Sequence, residues 1–203
     1  MDFSILEVCR VIPVVSPRDV ASTVKLARAL QRGGMLAIEI ALRTDAALES
    51  IRAVRAEVPG ILVAAGTVIK PADLDLAMQA GAELVFSPGS SESLLQAALA
   101  SGTAFVPGVG TASELMLGLH HGFGLFKLFP AEALGGKKLL QSFAGPFPRA
   151  RFCPTGGLDE NNFRSYLELS NVMCCGGSWM AADKLVSEGQ WDAIEALARR
   201  AMS

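Results

Sequence analysis

Residues 61–110 read ILVAAGTVIKPADLDLAMQAGAELVFSPGSSESLLQAALASGTAFVPGVG, and the alternation inside this stretch decides the fold. Three short runs, Ile61–Gly66, Leu84–Pro88 and Ala104–Val109, are strand-like in length and in their aliphatic and aromatic content. Longer segments with apolar residues at helical spacing separate them. Ser91 opens one such segment as a capping residue. Gly81 and Gly102 follow the periodic parts, as left-handed C-terminal caps require. Strand and helix in alternation, joined by short connections, is the pattern of a parallel α/β fold.

The same period extends in both directions. Ile12–Val15 and Ala37–Leu42 precede the stretch, and Leu125–Pro130, Arg151–Gly156 and Val172–Gly177 follow it, which brings the strand-like runs to eight. Asp19, Asp45 and Thr111-Ala112-Ser113-Glu114 open further helical segments, and Gly33-Gly34 closes one. No linker, charge block or low-complexity tract interrupts the series. The expectation is a single-domain (β/α)8 TIM barrel over residues 1–203, close to the smallest size of about 200 residues that this fold takes. An open doubly wound sheet is the alternative.

Composition narrows the function. With 51% hydrophobic and 19% charged residues the chain has the apolar surface to fold, and disorder is excluded. Lys+Arg 18 against Asp+Glu 20 gives a net charge of -2, and no basic cluster suits a nucleic-acid backbone. The apolar runs fall short of the ~20 residues that cross a bilayer, and MDFSILEVCR lacks a basic, then apolar leader pattern, so a soluble cytoplasmic protein is expected. Cys9, Cys153, Cys174 and Cys175 form no CxxC pair and read as free buried thiols. His120-His121 beside Gly122 reads as a helix end rather than a metal site, and no metal or cofactor is expected. Pro107-Gly108-Val109-Gly110 lacks the full dinucleotide fingerprint and follows the fifth strand, not the first. Trp191, Ile194, Leu197 and Ala198 have the spacing of a core-packing helix.

Parity along the strands points to the chemistry. Inward and outward residues alternate in a barrel, so Ile38, Ile40 and Leu42 share one face while Glu39, Ala41 and Arg43 share the other. In Leu125-Phe126-Lys127-Leu128-Phe129-Pro130, Lys127 is the one charged group, placed mid-strand among apolar neighbours. The remaining lysines fall in helical or loop segments. Burying an ammonium costs several kcal/mol unless it is paired or loses its proton, and an unprotonated lysine is an amine nucleophile. The alternative is an ion pair with Glu39 that only fixes the barrel's interior, a weak stabiliser beside apolar replacements, and Arg43 at the strand's end reads equally as a rim charge in solvent. Cys153-Pro154-Thr155-Gly156-Gly157 ends the seventh strand and Cys175-Gly176-Gly177-Ser178-Trp179 the eighth, where barrels frequently bind phosphate through backbone amides. Two tight turns that merely need glycine would also account for them.

Six motifs taken in order resemble the bacterial 2-keto-3-deoxy-6-phosphogluconate (KDPG) and 4-hydroxy-2-oxoglutarate (KHG) aldolase family. They are Ile38–Thr44, Ala65-Gly66-Thr67-Val68, Phe86-Ser87-Pro88-Gly89, Lys127–Glu132, Arg151–Gly157 and Gly176-Gly177-Ser178-Trp179. The resemblance implies a metal-free class I aldol cleavage of KDPG to pyruvate and glyceraldehyde 3-phosphate in a homotrimer of barrels. Lys127 would then be the Schiff-base lysine and Glu39 the proton shuttle. Arg43 and Thr67 would hold the pyruvyl carboxylate. Thr155 would lie near the substrate carbinol, Gly156, Gly157, Gly177 and Ser178 would receive the phosphate, and Pro88 and Phe129 would line the pocket. Two departures from the family pattern stand out. Ala41 replaces a common threonine beside Glu39, and Leu128 replaces a phenylalanine on the outward face. Rival readings are preference for the C4-epimeric substrate or for unphosphorylated KHG, a phosphosugar isomerase that uses Glu39 as its base, and a silent sugar-phosphate binder.

Overall fold

The computed structural model describes residues 3–203. Nine parallel strand segments occupy the eight expected positions: β1 (Val11–Val15), β2 (Ala37–Ala41), β3 (Leu62–Gly66), β4 (Leu84–Phe86), β5 (Phe105–Val106), β6 (Gly108–Val109), β7 (Leu125–Leu128), β8 (Arg151–Pro154) and β9 (Cys175–Gly177). The fifth expected strand is split because Pro107 has no N–H to give the ladder. The Gly108 N–H, just beyond the break, is taken by the buried Ser87 Oγ at 2.9 Å. A Cβ on Gly108 would collide with the backbone of Pro88, so only glycine allows the two chains this close.

The split divides the hydrogen-bonded ladder into two arcs, β5-β4-β3-β2-β1-β9 and β6-β7-β8. Pro107 joins them on one side. On the other, isolated bridges Phe152↔Val172 and Thr155↔Gly176 link β8 to the β9 segment, and the ring closes as a TIM-type barrel. The last expected strand is correspondingly shortened to Cys175–Gly177, with only a bridge at Val172.

Helices clothe the barrel: α2 (Val20–Arg32), α3 (Ala47–Glu57), α4 (Pro71–Gln79), α5 (Glu92–Ser101), α6 (Ala112–His120), α7 (Gly136–Ala144), the short α8 (Phe163–Leu167) and α9 (Asp183–Ser187), and α10 (Trp191–Met202). Asp19 caps α2 by accepting from the Ser22 N–H at 2.7 Å, Ser91 caps α5, and Thr111 and Glu114 form a reciprocal capping box on α6. Asp45 does not cap: α3 begins at Ala47 after Ala46, with no side-chain cap. The C-terminal helix packs on α2 as its spacing requires, with Ile194 and Ala198 buried.

Two apolar layers result. Outward strand residues such as Ile38, Ile40, Val63, Phe126, Leu128 and Phe152 pack under the helices. Inward residues such as Ile12, Ala37, Ala64, Phe86, Val106 and Leu125 fill the barrel. The N-terminal segment, unassigned by the sequence, forms helix α1 (Ser4–Cys9), whose Leu6 and Cys9 belong to that inner cluster. All four cysteines are buried free thiols. No helix among the described residues is long and apolar enough to cross a membrane.

Candidate active site

The inward parity of β2 and β7 brings Glu39 and Lys127 face to face across the barrel. Lys127 Nζ donates to Glu39 Oε1 at 2.8 Å and to Oε2 at 3.0 Å, with the two residues 4% and 2% exposed. Aromatic faces close around the ammonium, Phe86 at 5.3 Å and Phe129 at 5.7 Å from ring centroid to Nζ. In such surroundings taking both charges out of water is costly, and the mutual attraction across the two short contacts is what offsets it. A lysine amine set against a carboxylate is the pairing that nucleophilic catalysis by lysine needs.

Glu39 owes its place to Gly66 on the neighbouring strand. A Cβ at Gly66 would lie 2.7 Å from Glu39 Cδ and 2.8 Å from Cγ, so the glycine leaves the space that the carboxylate fills. Ala41, one step above Glu39 on the inward face, is fully buried.

Above the pair opens a cavity of about 450 Å³. Arg43, Lys127, Phe129 and Thr155 line it, as do Gly156, Gly157, Gly177 and Ser178 of the two glycine loops. Arg43 Nε donates to Thr67 Oγ1 at 3.0 Å, and among the described residues its guanidinium has no carboxylate partner. Thr67 reaches that position with φ +61°, a left-handed conformation that is costly for a β-branched residue. Thr155, 5% exposed, directly follows β8 and lines the cavity with Lys127, while Gly176 makes room for its hydroxyl. Gly156 and Gly157 have φ +100° and +83°. Among the described residues the N–H groups of Gly157 and Ser178 have no protein acceptor, so they are free to receive an anion.

Eight of the eleven expected site residues therefore share one cavity wall. Glu39 lies behind Lys127 and Thr67 behind Arg43. Pro88 follows β4 outside the cavity lining, its backbone against Gly108. Ser16 and Asp183 also line the cavity without having been singled out from the sequence. Extending the inward parity of Ile12 and Val14 by one step would have found Ser16. Asp183, at the start of α9, carried no signal. Among the described residues no group of three or more His, Cys, Asp or Glu side chains could hold a metal ion.

Comparison with known proteins adds to this geometry. The sequence model of the family described as "Aldolase: KDPG and KHG aldolase" matches residues 3–197. The KHG/KDPG aldolase of Escherichia coli K12 is 46% identical over 199 residues, covering 98% of this chain and 93% of its own. A Legionella pneumophila KDPG aldolase, solved with pyruvate captured as a covalent carbinolamine, superposes with a TM-score of 0.96 at 38% identity, over 98% of this chain and 97% of that one. The Zymomonas mobilis ZM4 enzyme with 3-phosphoglycerate gives 0.91 at 42% identity, over 98% and 94%.

Proposed function

The chain belongs to the KDPG and KHG aldolase family, and from that premise we propose that Lys127 is its Schiff-base amine and Glu39 its proton shuttle. The protein is a metal-independent lyase that cleaves 2-keto-3-deoxy-6-phosphogluconate to pyruvate and glyceraldehyde 3-phosphate, the aldol step of the Entner–Doudoroff pathway. KHG, which splits to pyruvate and glyoxylate, is a second substrate. The observation that carries the residue assignment is the buried 2.8 Å contact between Nζ and Glu39 Oε1 beneath a cavity that also holds Arg43.

The steps follow from the geometry. Glu39 takes a proton from Nζ, and the neutral amine attacks the C2 ketone. Glu39 returns the proton to the carbinolamine hydroxyl, which leaves as water and produces an iminium. The carboxylate then removes the C4 hydroxyl proton. The C3–C4 bond breaks, its electron pair moves into the iminium as an enamine, and the aldehyde departs. Protonation of the enamine at C3 and hydrolysis by water release pyruvate and restore the amine. Arg43, oriented by Thr67, grips the pyruvyl carboxylate through its unused guanidinium nitrogens. The loops of Gly156, Gly157 and Ser178 take the phosphate, with the free amides of Gly157 and Ser178 donating to it, and binding there orients the reacting bond from a distance. The 3-phosphoglycerate bound by the Zymomonas relative supports a phosphate site in this fold.

The proposal extends to one domain over residues 1–203, to a homotrimer in solution, and to a cytoplasmic setting, which four reduced buried thiols fit. Incubation with pyruvate and sodium borohydride, followed by peptide mass spectrometry, tests the central assignment. The expected result is a stable adduct on Lys127. An unmodified Lys127 with aldol cleavage intact would overturn it.

A further inference from the structure

Glu132 closes the Lys127–Glu132 motif, yet it lies outside the chemistry just described. It sits at the start of a 3-10 turn (Glu132–Leu134) that follows β7. Two backbone bonds tie this turn to the loop after β8: the Ala131 N–H donates to Thr155 O at 2.8 Å, and the Glu132 N–H to Gly156 O at 3.0 Å. The side chain adds a third tie. Gly157 packs directly on it, since a Cβ there would lie 2.6 Å from Glu132 Cβ and 2.7 Å from Cγ. The carboxylate is itself held from behind by Tyr166 of α8, whose hydroxyl donates to Glu132 Oε1. Tyr166 is 1% exposed. Burial first, then the bond to Glu132 and the charge of Glu132, hold its phenol protonated well above the ordinary range, so it remains a donor across the working pH range. Gly136 leaves room for this hydroxyl: a Cβ on it would collide with the Tyr166 oxygen.

We propose that Glu132 and Tyr166 are a positioning pair that sets the Gly156–Gly157 loop for the phosphate of the substrate, and so determine how strongly the enzyme favours phosphorylated over unphosphorylated substrates. The inference rests on the phosphate site assigned above. A side chain wedged between Tyr166 and Gly157 controls where the loop's N–H groups point. Amides displaced by even a fraction of an ångström lose hydrogen bonds to an anion. Lys127 is held inside the β7 ladder opposite Cys153, and neither it nor Glu39 or Arg43 hydrogen-bonds to Glu132 or Tyr166.

The test compares KDPG with KHG, which lacks the phosphate, in wild type, Tyr166→Phe, Glu132→Ala and the double variant. Pyruvate–borohydride trapping at Lys127 is measured alongside. Each single variant is expected to raise KM for KDPG about five- to twentyfold with kcat within about twofold, and to leave KHG kinetics and the trapping rate within about twofold. The double variant should be no worse than either single one, because both remove the same contact. Glu132→Gln, which keeps an oxygen to accept from Tyr166, should recover KM for KDPG to within about twofold of wild type. Equal losses on KDPG and KHG, or unchanged KM for KDPG in Tyr166→Phe, would overturn the inference. Inorganic phosphate as a competitor of KDPG in the wild type separates the two levels. No competition overturns the phosphate site and the inference with it; competition with an unaltered Tyr166→Phe overturns the positioning pair alone.

Discussion

At the scale of single residues, the site depends on space as much as on functional groups. Glu39→Gln keeps the shape of the side chain and its contact with Lys127 but cannot carry a proton between Nζ, the carbinolamine hydroxyl and the C4 oxygen. Its expected effect is a fall in kcat of about 10²- to 10⁴-fold, with pyruvate affinity retained, as read by steady-state kinetics and pyruvate titration. Gly66→Ala leaves every catalytic group present and pushes the Glu39 carboxylate out of its slot. A displacement on that scale costs about 10²-fold, so kcat should fall by about that factor while circular dichroism stays that of the wild type. Lys127 and Glu39 stood out in the sequence because a charge with apolar neighbours on a strand has few places to point, whereas parity left Arg43, just past the end of β2, equally readable as a rim charge. The dependence of Glu39 on Gly66 was not legible, since it exists only once Glu39 and Ala64 share a register and Gly66 stands above them. Tyr166 was equally hidden, because its partner lies 34 positions away and on another element.

At the scale of elements, short-range signals were read well and long-range ones poorly. Thr111 and Glu114 announce their helix in four consecutive residues, and the capping box forms as written. Thr111→Ala removes the side-chain oxygen that accepts from the Glu114 N–H. The expected cost is about 1 kcal/mol, which for a chain of this size is about 2–4 °C in Tm, with kcat unchanged. Thermal unfolding and an activity assay on the same sample check both parts. Asp45 shows the limit of such signals: the chain turns through Thr44, whose O accepts from the Ala47 N–H at 3.1 Å, and the helix starts beyond the acid. Helix α1 was missed because only the barrel it packs against reveals what its apolar residues cover. Pro107 stands inside a strand-like run, but the repair of the break by Ser87 comes from the segment just after β4.

At the scale of the whole molecule, burial and charge act together on the thiols. Burial, then the proximity of Cys153, pushes the Cys9 thiol from its ordinary 9.0 up to about 11. A hydrogen bond to Cys153 and burial raise Cys174, and burial raises Cys175. A group raised in the folded state adds stability that is complete below its unfolded value and is lost as pH climbs through its folded value. The denaturant midpoint should therefore hold up to about pH 9 and fall steadily toward pH 11, and native protein at pH 8 should resist thiol alkylation until it unfolds. Resistance lost without unfolding would contradict this burial. The split ladder has a consequence of another kind. The longer arc carries Glu39, Arg43, Thr67 and the Gly177–Ser178 loop, while the shorter carries Lys127, Phe129 and Thr155–Gly157. A nascent chain that has formed only one arc holds either Lys127 or the Glu39 carboxylate proposed to take its proton, never the two in contact. Reactivity toward ketones thus appears at the moment the ring closes, so imine trapping during refolding serves as a clock for the last event of assembly.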